Sequence, residues 1–126
     1  MKIGFCTPGN IEFEDYKKGN LLGIESQVFG LATELVKKGY DIYIFRRWNN
    51  KEKKIEMVHG VKIVNINSPS FRDNYIDNVL TKLTFSYFVK REIAKFEIDI
   101  LILTEIFSSY FTSYSQIPKI YVTHNP

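Results

Sequence analysis

The first 45 residues alternate between two short apolar runs and one amphipathic helix, and this alternation restricts the fold more than any other feature. Lys2 to Cys6 is apolar and is followed by Thr-Pro-Gly, which stops a strand. Gly23 to Lys38 carries apolar residues at helical spacing and precedes Gly39, a natural left-handed cap. Asp41 to Phe45 is β-branched and aromatic, so it predicts a second strand. This order favours two parallel strands joined by a crossover helix.

Two amphipathic stretches predict helices that pack on the sheet. The apolar stripe of the first comprises Ile24, Val28, Leu31, Ala32, Leu35 and Val36. The second is predicted over Asn74 to Phe96, and its apolar face comprises Ile76, Val79, Leu80, Leu83, Tyr87, Ile93 and Phe96. Because the apolar residues of each stripe recur every three or four positions, we expect them to be buried.

The remaining apolar runs predict further strands: Ile55 to Val58, Val61 to Ile66, Asp99 to Leu103 and Lys119 to Thr123. The first two flank His59-Gly60 and form either a small hairpin or an extended start of a third strand. Strands that alternate with helices predict one α/β domain over residues 1–126. We expect a Rossmann-like three-layer sandwich, with a mostly parallel sheet of about five strands.

Composition and charge exclude several classes of protein. The chain is 44% hydrophobic and 25% charged, which is typical of a globular domain and not of a disordered one. A net charge of +3 does not by itself imply a nucleic-acid partner. The single cysteine, Cys6, excludes an internal disulfide and is expected in the core. With neither a secretory signal nor a membrane-spanning run, we predict a cytoplasmic protein, with peripheral contact at the inner membrane face left open.

Several polar residues follow predicted strands at the edge where ligands bind in parallel α/β sheets, beyond the carboxyl ends of the strands. Arg46 follows the second strand, Glu105 the fourth, and His124 the fifth. The helix that starts at Gly23 should point its amino end at the same crevice. The chain has no Gly-x-Gly-x-x-Gly after the first strand, no Walker loop and no Gly-x-Ser-x-Gly elbow, which argues against a dinucleotide site, a P-loop and a hydrolase nucleophile.

Several of these motifs resemble glycosyltransferase family 4. The motifs are Gly23-Ile24-Glu25, Leu31-Ala32 with Leu35, Lys38-Gly39-Tyr40-Asp41-Ile42, His59-Gly60-Val61-Lys62-Ile63, Asp99-Ile100-Leu101-Ile102 and Pro118 to His124. They follow one another in the order of that family's amino-terminal domain and span nearly the whole chain. The sequence departs from the family pattern at Leu22, where the first of two glycines would stand.

The resemblance implies a GT-B fold, in which two Rossmann-like domains face each other across a cleft. This chain would be the acceptor-side half, and the donor-side domain would be supplied in the same chain or by a partner. The implied reaction transfers a sugar from a nucleotide-sugar to the hydroxyl of a sugar or lipid-linked acceptor, with no cofactor and no obligatory metal. The resemblance places Gly23, Ile24 and Glu25 near the donor diphosphate and His124 near the reacting sugar. Arg46 and Glu105 are further candidates for substrate contact. The half alone is expected to be inactive.

Plainer interpretations stay open for each of these residues. Gly23 and Glu25 also suit an ordinary helix start, and His124 a strand end satisfied by backbone. Arg46 to Lys54 is predicted as a polar connector whose basic residues form a solvated loop, or else attract anionic lipid or RNA. His59 is expected at the surface with no role. The alternative function is a non-catalytic Rossmann-like module that docks a partner chain.

Overall fold

The computed structural model describes residues 1–7, 24–47, 54–68, 75–103 and 118–121. Within these ranges the chain forms six strands and two helices. In chain order they are β1 (Lys2–Thr7), α1 (Ile24–Lys37), β2 (Asp41–Arg47), β3 (Ile55–Val58), β4 (Val61–Ile66), α2 (Tyr75–Phe96), β5 (Ile100–Leu103) and β6 (Lys119–Tyr121). The predicted elements in the described ranges are therefore present, with boundaries that differ by a residue or two.

The six strands form one sheet in the order β3-β4-β2-β1-β5-β6. β1 lies at the centre and pairs in parallel with β2 and β5, while β4 and β6 extend the sheet in parallel on either side. Only β3 is antiparallel, because it pairs with β4 through a tight turn at His59-Gly60. The mostly parallel α/β prediction is confirmed, and the hairpin adds the sixth strand.

Each face of the sheet carries its own apolar core, as expected when alternate side chains of a strand point to opposite faces. One core joins α1 to side chains such as Phe5, Ile44 and Ile63. The other joins α2 to side chains such as Phe45, Val64 and Leu101, and also contains Cys6. The helices thus cover opposite faces, which gives the predicted Rossmann-like three-layer arrangement and confirms Cys6 as a core residue.

The stripe predicted for α1 is largely correct. Val28 and Ala32 are buried against the sheet, and Leu35 and Val36 pack at the margin of the core. Leu31 was expected in this stripe but is exposed. Phe29, two residues earlier, was not in the predicted stripe and is fully buried. The buried face is therefore rotated slightly from the predicted stripe, since the large ring of Phe29 fills the space over the sheet.

The apolar face predicted for α2 is wrong at three of its seven positions. The side chains that pack on the sheet are Phe85, Val89 and Ile93, at four-residue spacing. Ile76, Leu80 and Tyr87 were expected to be buried and are exposed. This helix has apolar residues on two sides, and periodicity alone cannot decide which side meets the core. The aromatic ring of Phe85 and the branched side chains of Val89 and Ile93 fit the face formed by β2, β4 and β5.

The two helices end in the same hydrogen-bond pattern. The amide of Tyr40 donates to the carbonyl of Leu35 at 3.2 Å, and the amide of Ile98 donates to the carbonyl of Ile93 at 3.1 Å. This six-to-one bond is the mark of a left-handed helix cap. α1 uses Gly39 at that position, with φ of 94°, whereas α2 uses Glu97, with φ of 58°. Glu97 therefore holds a conformation that favours glycine.

Candidate functional site

The carboxyl ends of the parallel strands meet at one edge of the sheet, where ligands of such folds bind. The chain leaves β1 toward β2 on one side, whereas β5 continues to β6 on the other. The topological switch point therefore lies between β1 and β5, beyond Thr7 and Leu103. α1 runs back from this edge, so its amino end at Ile24 belongs to the same side of the molecule.

A buried polar cluster lies at this edge, on the face covered by α1. We call Thr7, Arg46, Glu56 and Asn65 the edge cluster. Arg46 Nε donates to Asn65 Oδ1 at 2.7 Å, and its Nη2 donates to Glu56 Oε2 at 2.6 Å. Thr7, opposite Arg46 in the strand register, donates from Oγ1 to the carbonyl of Phe45 at 3.3 Å. Four neighbouring strands thus each contribute one polar side chain to this end of the sheet.

Arg46 is fully buried, which differs from its predicted place at the start of a polar connector. β2 continues through Arg47, and both arginines are buried strand residues. The connector prediction for residues 46–54 is therefore wrong at its first two positions. A charge in this position requires a partner because desolvation of an isolated guanidinium is costly, and Glu56 supplies the opposite charge. No sequence motif signalled the pair, since Glu56 and Asn65 lie on other strands.

The other described end of that connector is also engaged. Lys54 Nζ lies 2.6 Å from Glu92 Oε1 on α2. The hydrogen bond and charge of Glu92 raise the pKa of Lys54 above its ordinary value. The described residues of this connector are thus two buried arginines and one paired lysine. Residues 48–53 lie outside the described residues.

Ser68 was not predicted from the sequence as a site residue. It follows β4 at the carboxyl edge and is only 1% exposed. Among the described residues, its Oγ is one of two buried side-chain oxygen atoms without a hydrogen-bond partner, the other being Glu92 Oε2. Ser68 therefore adds an available polar group to the edge that also carries the edge cluster.

The structure describes only some of the remaining predicted site residues. Gly23, Glu105 and His124 lie outside the described residues, and so does the side chain of Glu25. Ile24 is the first residue of α1, and nothing further is described of its side chain. The proposed contacts of these residues with donor or acceptor stay predictions.

His59 lies far from this edge, in the turn between β3 and β4 at the amino end of β4. Its ring packs edge-on against Phe29, with centroids 5.9 Å apart. With Thr33, Glu34, Val36 and Lys37 it borders an open cleft of about 320 Å³. The position agrees with the prediction of a surface residue away from the crevice. In the described ranges, no group of three or more His, Cys, Asp or Glu side chains could hold a metal ion.

Asp99 immediately precedes β5, at the edge of the sheet opposite the carboxyl ends of the parallel strands. Its Oδ2 accepts a hydrogen bond from the backbone amide of Lys2 at 2.8 Å. The carboxylate therefore braces the start of β1 against the start of β5. In the part of the chain that the structure describes, no helix is long and apolar enough to cross a membrane.

Comparison with solved structures identifies similar folds. Sucrose-phosphate synthase from Thermosynechococcus elongatus superposes with a TM-score of 0.68 at 12% identity, covering 97% of this chain and 32% of that chain. A second structure of that enzyme from the same organism gives a TM-score of 0.62 at 12% identity, covering 99% of this chain and 64% of that one. This chain thus spans about a third of the length of the first neighbour. No protein-family model matches, and no curated protein matches.

Proposed function

We propose that this chain is the acceptor-side half of a GT-B glycosyltransferase. The observation that carries the proposal is the superposition of 97% of the chain on sucrose-phosphate synthase with a TM-score of 0.68. That neighbour's name describes the formation of a phosphorylated disaccharide, which is a sugar transfer. The motifs that resemble glycosyltransferase family 4 support the same class from independent evidence, since the structural similarity rests on only 12% identity.

The proposed reaction joins an acceptor hydroxyl to the anomeric carbon of a nucleotide-sugar. The bond between that carbon and the diphosphate breaks, and the hydroxyl proton passes to a base. The backbone amides at the start of α1, from Gly23 to Glu25, are proposed to face the donor diphosphate, since a helix amino end favours negative charge. His124 is proposed next to the reacting sugar, where an imidazole suits proton transfer near neutral pH.

The edge cluster supports this proposal by making the same end of the sheet polar and rigid. Arg46 is held by Asn65 and Glu56, which orients a buried guanidinium at the carboxyl end of β2. Because Arg46 is fully buried, we propose that it acts on substrate indirectly, by holding Asn65 and Glu56 in place at this edge. Glu105 is proposed to contact acceptor hydroxyls. Polar groups held in place in this way bind substrates without a further cost in side-chain ordering.

The donor-side half is proposed to come from another domain of the same protein or from a partner chain. The chain covers only about a third of the first neighbour, which leaves length there for a second half. Under this proposal, the purified 126-residue chain does not catalyse sugar transfer, because one wall of the cleft is missing.

The test compares the two histidines of the chain, His59 and His124, in the longest gene product that contains it. Release of nucleoside diphosphate is measured over a panel of nucleotide-sugars, with monosaccharides, sugar phosphates and lipid-linked sugars as acceptors. We expect His124→Ala to lower kcat by about 100-fold or more, as is usual for loss of a proton-transfer group. His59→Ala is the matched control and leaves kcat unchanged, because His59 lies at the amino end of β4, away from the edge of the sheet where the site is proposed.

Two outcomes contradict the proposal. Robust turnover by the isolated chain shows that no second half is needed. Absence of activity with every donor, together with a stable complex between this chain and a partner, favours the non-catalytic docking module. An enzyme whose donor was not in the panel would also show no activity, but its complex would still bind a nucleoside diphosphate. Mass measurement of the complex with nucleoside diphosphate present therefore distinguishes that enzyme from the docking module.

A further inference from the structure

The outward face of α2 carries an apolar stripe that the core does not use. Ile76 is 67% exposed, Leu80 42% and Tyr87 47%, and Leu83 is half-buried between them. These four residues recur every three or four positions, so they form one line along the helix. They lie on the side of the helix opposite Phe85, Val89 and Phe96, which pack on the sheet. α2 is therefore apolar on both its buried and its outward sides.

Basic residues continue this line toward the carboxyl end of α2. Lys90 and Arg91 are exposed and flank the direction of the stripe on either side, and Lys95 follows in the last turn. The helix also carries Lys82, and of its two acidic residues Asp77 lies in the first turn while Glu92 binds Lys54. The outward face therefore combines an apolar half with a positively charged half.

We propose that the outward face of α2 binds the surface of an anionic lipid bilayer, with the helix lying in the plane of the interface. Aliphatic side chains of Ile76 and Leu80 enter the acyl boundary, and Tyr87 takes the headgroup level, where an aromatic ring with a polar tip is favoured. Lys90 and Arg91 extend their stems along the apolar layer and bring their charges to lipid phosphates.

Charge favours this occupant over a second copy of the chain. Pairing two of these faces would bring two positively charged surfaces together, whereas an anionic bilayer offers the opposite charge along the whole helix. The helix does not need to cross the bilayer, and no described helix could do so. The face is also independent of the sugar-transfer proposal, because it lies on the outer surface of the layer opposite α1.

The experiment measures co-sedimentation of the 126-residue chain with vesicles at physiological salt. Vesicles of equal parts phosphatidylglycerol and phosphatidylcholine are compared with vesicles of phosphatidylcholine alone. Two double variants test the two halves of the face, Ile76→Ser with Leu80→Ser, and Lys90→Glu with Arg91→Glu. The matched controls are Met57→Ser, an equally exposed apolar residue on edge strand β3, and Lys37→Glu with Lys38→Glu at the carboxyl end of α1.

We expect binding to the anionic vesicles only, with the partition coefficient lowered by about 10-fold or more in each α2 variant. Both controls retain most of the binding, and raising the salt concentration weakens it. Circular dichroism checks that every variant keeps its fold, which is expected because the substituted side chains are exposed.

Three results overturn the proposal. One is absence of binding to the anionic vesicles, and another is equal loss of binding in the α2 variants and the controls. The third is self-association, measured by light scattering, that the Ile76 and Leu80 substitutions abolish while vesicle binding is absent. That result assigns the face to a second copy of the chain.

Discussion

The two helices cover opposite faces of one sheet but use their sequences differently. α1 buries a nearly single stripe, with Phe29, Val28 and Ala32 against the sheet. α2 is longer, buries Phe85, Val89 and Ile93, and leaves a second apolar line with Ile76 and Tyr87 in solvent. The comparison teaches that an apolar stripe at helical spacing predicts burial reliably only where the rest of the helix surface is polar.

The largest expected effect compares neighbouring aromatic residues of α2. Phe85→Ala should lower the free energy of unfolding by about 3–5 kcal/mol, because it empties a fully buried site. Tyr87→Ala should change it by about 0.5 kcal/mol or less, since that ring is half exposed. Urea unfolding followed by circular dichroism measures both.

The matched pair in α1 is Phe29→Ala and Leu31→Ala. Phe29 is fully buried and Leu31 is exposed, so the same ordering is expected there. Equal destabilisation by Phe85→Ala and Tyr87→Ala would mean that α2 packs through the line predicted from its sequence, and the distinction between the helices would disappear.

The next effect concerns the buried charge of Arg46, which lies on the face of the sheet that α1 covers. Glu56→Gln should cost about 1.5–3 kcal/mol of unfolding free energy, because the fully buried guanidinium of Arg46 loses its opposite charge. Thermal and urea unfolding give the value. Glu34→Gln, which removes an exposed pair with Lys37 on α1, is the control and should change stability by about 0.5 kcal/mol or less. Equal effects of the two substitutions would show that Arg46 is balanced by other groups.

A smaller effect compares the two helix caps. Glu97→Gly should stabilise the protein by about 1 kcal/mol, because glycine adopts the left-handed conformation without a Cβ penalty. Gly39→Ala should destabilise it by a similar amount, and the reason is strain alone, since a Cβ at Gly39 meets no atom within 4 Å. Thermal unfolding of both variants tests the sign. A loss of stability in Glu97→Gly would show that its side chain contributes more than the backbone strain costs.

The smallest effect is the pH dependence of the pair that ties α2 to Lys54. Glu92 raises the pKa of Lys54 above 10.5, so from neutral pH to 10.5 the pair stabilises the fold fully, and it does so less as pH rises through the pKa of the folded state. Glu92→Gln should cost about 1 kcal/mol or less near neutral pH. Urea unfolding of wild type and variant should then converge above pH 10.5. A constant difference across that range would mean that packing, and not charge, links Glu92 to Lys54.

The local sequence pattern was sufficient to predict the helices, the strands and the mostly parallel arrangement of the sheet. The apolar runs of β1, β2 and β5 and the glycine cap of α1 are local features, so each predicted its own segment. Their alternation with helices predicted a parallel sheet, because parallel neighbours need a crossover. For the candidate site, pattern predicted the edge of the sheet, but it described Arg46 as a connector residue when it is a buried strand residue.

The sequence by itself thus determined the class of fold and predicted one end of the sheet for the candidate site, because both depend on spacing along a short stretch of chain. Only the tertiary structure decided which line of α2 meets the core and how the charge of Arg46 is balanced. Those outcomes depend on side chains that are distant in sequence, as when Glu56 on β3 and Asn65 on β4 converge on Arg46 of β2. Their contacts exist only once the strands are paired.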